Sequence, residues 1–136
     1  MKTVILLLVF VSSSFFSTAQ DKRLIGTWNI IECAYITTSG TEKIMEQEIK
    51  NGTAVTDYFI MENGKYKMTS NMSGSGTMDT YEGEWRTSDN KLFMTITFEN
   101  QTMDIEWKYE LKDNKLLLSR ENPMGTVTIV NIYQKK

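Results

Sequence analysis

Four charged side chains set among apolar neighbours are where this chain could do chemistry: Glu32, Asp57, Asp79 and Arg120. If the strands around Ser70 pair about their nearest turns, Asp57 and Asp79 flank Ser70, the arrangement a paired-carboxylate acid–base reaction needs. Arg120 then falls opposite Trp107, where a guanidinium can stack on an indole and still offer its fork to a carboxylate. Histidine is absent from all 136 residues, which removes the commonest general base and the commonest zinc ligand. The single cysteine, Cys33, can form no internal disulfide and has no basic cluster beside it, so it reads as a small buried apolar residue. No glycine-rich phosphate loop and no metal-ligand spacing occurs. These residue types favour binding over catalysis: neither cofactor nor metal is implied, and no enzyme activity is expected.

Such groups act only if the fold brings them together, and the ends of the chain limit what folds. Lys2 precedes an apolar run from Val4 to Val11, and Ser17-Thr18-Ala19 supplies small residues for signal peptidase, so residues 1–19 read as a cleaved leader. The run is far shorter than the roughly 20 apolar residues of a membrane span. No cysteine follows the cut, which argues against a lipid anchor. The remainder, roughly 117 residues over 20–136, has the size of one domain. Of the 15 basic residues only Lys2 lies in the leader, leaving a net charge of about −3 against 17 acidic ones. Nucleic acid, which needs a basic face, is excluded as a partner. Export to the periplasm or the extracellular space is the expectation.

Polar turns divide the rest into about eight alternating segments: 24–36, 53–62, 65–72, 77–88, 91–99, 102–112, 115–120 and 126–135. Asn63-Gly64, Ser73–Gly76, Asp89-Asn90, Asn100-Gln101, Asp113-Asn114 and Glu121–Gly125 separate the later ones. No room remains for crossover helices, so the chain predicts an antiparallel all-β meander. The segment 37–52 fits least well. Ser39-x-x-Glu42 has the form of a capping box and Glu46 with Lys50 that of an i,i+4 pair, which suggests a short helix or flap, with a further strand also open.

Opposed residues must share a face, so each turn predicts a register. Asn63-Gly64 sets Met61 against Tyr66 and Phe59 against Met68, with Asp57 against Ser70. The next turn sets Met68 against Tyr81 and Ser70 against Asp79. Asp89-Asn90 sets Trp85 against Met94 and Tyr81 against Phe98. Asn100-Gln101 sets Phe98 against Met103, Ile96 against Ile105 and Met94 against Trp107. Asp113-Asn114 sets Tyr109 against Leu118. One face is then apolar, and the other carries residues such as Glu82, Glu84, Arg86, Asp104 and Glu106, interrupted by Tyr58, Ile60, Phe93 and Leu117. A sheet with one greasy face and no covering helix must close on itself. The polar exterior is the reverse of a membrane barrel, so no membrane span is expected.

Closure yields a candidate pocket whose mouth lies at the end with the longer connections. Its apolar base would be Trp28, Phe59, Tyr66, Met68, Trp85, Met94, Ile96, Trp107 and Tyr109. Its polar wall would be Asp57, Asp79 and Arg120, with Glu32 joining if Trp28, Ile30 and Ala34 point inward. The bland alternative is that the same aromatic and methionine residues simply fill a core, with the charges solvated or paired, as Arg120 with Glu32.

Leu24-Ile25-Gly26-Thr27-Trp28 opens the first strand with a Gly-x-Trp motif. Asp57-Tyr58-Phe59, Asn63-Gly64-Lys65-Tyr66, Gly83-Glu84-Trp85, Asp89-Asn90-Lys91-Leu92 and Asn114-Lys115-Leu116 follow, with Thr126–Tyr133 as the last strand. In that order and spacing the chain resembles the short bacterial lipocalin-like domain family along nearly the whole of 20–136. The resemblance implies an eight-stranded antiparallel up-and-down barrel and a small lipophilic ligand. Lipocalins place an arginine over the first-strand tryptophan; here only Lys135 or Lys136 could cover Trp28. The leading function is binding of a small hydrophobic or amphipathic molecule in the barrel interior. The alternative is a ligandless envelope module that recognises a protein through its loops.

Overall fold

The structure, a computed structural model, describes residues 20–72 and 76–136. The expected leader and the Ser73–Ser75 part of one turn lie outside the described residues. After a 3-10 turn, Lys22–Leu24, come β1 (Gly26–Thr37), β2 (Gly40–Lys43), a one-turn helix α1 (Glu46–Lys50) and β3 (Thr56–Ile60). Six more strands follow: β4 (Lys65–Ser70), β5 (Asp79–Ser88), β6 (Lys91–Phe98), β7 (Gln101–Lys112), β8 (Lys115–Glu121) and β9 (Thr128–Lys135). β3 to β9 pair consecutively, and β1 pairs with both β3 and β9, which closes an eight-stranded antiparallel barrel. β2 is a short hairpin partner of β1 outside the ring. Closure leaves the ring without a free edge, as the one-sided apolar pattern required.

Turn chemistry sets the register. Asp89-Asn90, Glu99-Asn100 and Asp113-Asn114 each hold two successive residues at positive φ, between 47° and 65°. That is the mirror-image turn whose twist matches a two-residue hairpin. It fixes Ser88 opposite Lys91, Phe98 opposite Gln101 and Lys112 opposite Lys115. The β5–β6 and β7–β8 registers agree with expectation. The β6–β7 turn sits one residue earlier than Asn100-Gln101, so Ile96 meets Met103, Met94 meets Ile105 and Leu92 meets Trp107. A shift of two in pairing keeps every side chain on its expected face.

Asn63-Gly64 behaves differently. Only Gly64 has positive φ, at 79°, and Met61 N–H donates to the Lys65 carbonyl, so the loop spans three residues, Glu62 to Gly64. A three-residue loop with a left-handed glycine adds one residue relative to a two-residue turn. Ile60 therefore meets Tyr66 and Tyr58 meets Met68, and the faces of β3 are exchanged. Tyr58 and Ile60, expected outside, are buried within the barrel; Phe59, expected in the pocket base, is 48% exposed. β1 also departs from simple alternation. A bulge at Ile31 puts Cys33 opposite Asn131, with Trp28 and Ile30 inward before it. The expected capping box is not used: Ser39 lies in the β1–β2 hairpin, and Met45, at positive φ, precedes α1 without a side-chain cap. The Glu46–Lys50 pair does form, at 3.0 Å.

On the outer surface Lys65–Glu84, Lys67–Glu82 and Lys91–Glu106 pair across strands at 2.9–3.3 Å. These exposed pairs add little stability. Among the described residues no helix is long and apolar enough to cross a membrane.

Candidate functional site

One end of the barrel is sealed. The 3-10 turn drives Leu24 into the core with no exposure, and Trp28 Nε1 donates to the Leu24 carbonyl at 2.8 Å. Asp21, just before it, accepts from the Tyr109 hydroxyl at 2.9 Å, while its backbone N–H donates to Thr87 Oγ1 at 2.9 Å. Arg23 closes on the same carboxylate at 2.7 Å and 3.0 Å, and these hydrogen bonds, opposed by partial burial, hold Asp21 down at about 2. Trp85 Nε1 donates to the Met61 carbonyl at 2.9 Å. Lys135 lies over the Trp28 ring, its Nζ 5.4 Å from the centroid, so a lysine takes the covering position. Trp28, Trp85 and Tyr109, expected in the pocket base, thus spend their polar atoms sealing this end, and none of them lines the cavity above it.

That cavity has a volume of about 470 Å³, within the range of small-molecule sites, about 300–1,000 Å³. Tyr66, Met68, Met94, Ile96 and Trp107 line it as expected, and so does Arg120. Arg120 stacks over the Trp107 indole with its guanidinium carbon 4.7 Å from the ring centroid. Among the described residues it makes no ion pair; Glu32 has turned away at the β1 bulge and bonds Lys43 at 2.9 Å instead. Asp57 follows Phe59 to the outer face, opposite Asn29. Partial burial raises its carboxyl, opposed by Lys136 and by a hydrogen bond from Asn29. Asp79 pairs with Ser70 as expected but does not line the cavity, and its carboxylate accepts from Thr77 Oγ1 at 3.4 Å. The paired carboxylates flanking Ser70 are therefore not assembled.

Several lining residues were not expected. Tyr58 and Tyr133 meet edge to face, with centroids 5.2 Å apart, and Asn131 Nδ2 donates to the Tyr133 hydroxyl at 3.4 Å. Burial pushes the Tyr58 phenol up to about 12 and that of Tyr133 well above its ordinary range. Thr56 and Ser70 bond each other at 2.8 Å, and Ser70 Oγ also accepts from the Met72 N–H. Cys33 lines the same wall; burial raises its thiol, which stays protonated. Reading Asn63-Gly64 as a three-residue loop would have found Tyr58 and Thr56. The alternation Ile129-x-Asn131-x-Tyr133 would have found Asn131, once Tyr133 was placed inward.

No protein-family model matches the chain, and no curated protein does. Among solved structures, a lipocalin-like protein from Bacteroides uniformis superposes with a TM-score of 0.54 at 15% identity, covering 84% of this chain and 99% of that one. An uncharacterized protein from Bacteroides eggerthii superposes with a TM-score of 0.53 at 18% identity, covering 82% and 98%. At these identities the likeness is one of fold. The fold is a lipocalin-like eight-stranded barrel, as the Gly-x-Trp motif and strand order suggested.

Proposed function

We propose that this protein, exported by its N-terminal leader, binds a small amphipathic molecule, with the apolar part inside the barrel and an anionic head at Arg120. The observation that carries this reading is the cavity itself. It is sealed below by satisfied aromatic residues, greasy along its walls, and bordered by one guanidinium with no anionic partner among the described residues. A stacked arginine keeps its hydrogen-bonding fork free for a carboxylate. The described lining residues offer a greasy wall and one guanidinium, which favours binding as the role.

Fluorescence tests it. Trp107 lines the cavity, whereas Trp28 and Trp85 belong to the sealed end. Titration with a fluorescence-quenching fatty acid analogue should quench Trp107, and Trp107→Phe should remove the response. Silence in the wild type would count against carriage. It would favour the ligandless alternative, which has one observation on its side. Among the described residues, the exposed Tyr35 and Met45 line the cavity, and the exposed Ile36, Met78, Met103 and Met124 lie in or beside the strand ends and turns at the mouth end, where a protein could dock.

A further inference from the structure

The barrel wall parts between β7 and β8. The two strands pair from Lys112 and Lys115 only as far as Lys108 and Ser119. Both run on toward the mouth, β7 back to Gln101 and β8 to Glu121, each still paired on its other side with β6 or β9. Trp107 and Arg120 come next in register but form no ladder pair; the guanidinium stacks on the indole instead. A second cavity, of about 390 Å³, occupies the outer side of this gap. Ile105 and Arg120 line both cavities. Both residues alternate inward, so a cavity on the outer face reaches them only where the strands have separated. The rest of its lining faces outward: Asp104, Glu106, Lys108, Ser119, Glu121 and Thr128. Arg120, itself exposed, therefore stands at a threshold, with the greasy chamber on one side and a polar cleft on the other.

Resting on the binding reading above, we infer that the cleft between β7 and β8 is a head-group subsite, and that the ligand is a single-chain phosphodiester whose anion joins an apolar tail to a hydroxyl-bearing head. The space on both sides of Arg120 argues for this. A terminal carboxylate at Arg120 would fill the chamber and leave the cleft empty. A phosphodiester carries its charge on a group bonded on both sides, and its two non-bridging oxygens match the guanidinium fork. The cleft offers carboxylate acceptors, one ammonium donor and two hydroxyls. That mixture suits hydroxyls, which both donate and accept, better than a second charge. The tail then lies inside the barrel, the phosphate at the threshold and the head in the cleft.

The test compares hexadecyl methyl phosphate with hexadecyl glyceryl phosphate, which share tail and anion and differ only in the head. Affinities are measured on the wild type, on Ser119→Trp and on Thr128→Trp, whose indoles fill the cleft from β8 and from β9. The expected result is a preference of roughly tenfold for the glyceryl ester in the wild type, as added hydrogen bonds give. In either variant the ratio should fall to near one through weaker binding of the glyceryl ester. Equal affinities in the wild type would overturn the inference while leaving the binding reading intact, since the cleft would then read no head group. A preference that survives both substitutions would overturn it too, because the head would lie at the mouth. If hexadecanoic acid binds and neither phosphate does, the inference falls alone. If none of the three binds, the reading at Arg120 fails and the inference falls with it.

Discussion

Asp21 shows how one residue can govern a whole end of the barrel. Its carboxylate takes hydrogen bonds from Arg23 and from the Tyr109 hydroxyl, and its backbone reaches Thr87 on β5. Those bonds hold its carboxyl at about 2, below the ordinary 3.8. The folded value is depressed, so its contribution to stability is complete above the ordinary value and is lost as pH falls through about 2. Acid unfolding of the wild type should therefore include a proton uptake between pH 4 and 2 that Asp21→Asn lacks. At neutral pH the same variant should melt about 5 °C lower. An unchanged melting temperature and acid limb would mean that the 3-10 turn seals the barrel through Leu24 alone. Nothing in the sequence pattern pointed to this lock, because Asp21 precedes the Gly-x-Trp motif and its partners are 66 and 88 residues away.

At the scale of elements, β3 decides which side chains belong to the cavity. The faces of β4 to β8 were legible because Asp89-Asn90 and Asp113-Asn114 form two-residue turns, and because the slip at Glu99-Asn100 was an even one. The face of β3 was not legible, because Asn-Gly serves equally in a two-residue mirror-image turn and in a three-residue loop closed by a left-handed glycine. The odd residue moved Asp57 and Phe59 outward and brought in Tyr58. The bulge at Ile31 did the same to Glu32, so the Arg120–Glu32 pair of the bland alternative does not form. Substitution checks this assignment. Tyr58→Ala should cost about 3–5 kcal/mol in urea unfolding, as loss of a buried aromatic residue does. Phe59→Ala, at an exposed position, should cost less than about 1 kcal/mol. The opposite order would restore the two-residue turn and return Phe59 to the pocket.

Across the whole molecule, the two ends of the barrel have different tasks. Trp28, Trp85 and Tyr109 were recognisable as inward residues, yet inwardness alone could not say which of them would touch a ligand. That depends on where their indole and phenol groups find acceptors, and all three find them at the sealed end. What remains open is a cavity with Trp107 and Arg120 on its wall. The barrel is thus divided into a sealed plug and an open chamber, and the proposed ligand belongs to the chamber. Calorimetric titration of the wild type and of Arg120→Gln with hexadecanoic acid and with hexadecanol tests that division most directly. The acid should bind the wild type roughly tenfold more tightly than the alcohol, and Arg120→Gln should erase that difference while leaving the alcohol unaffected. No binding of either molecule, or an acid affinity unchanged in Arg120→Gln, would contradict it.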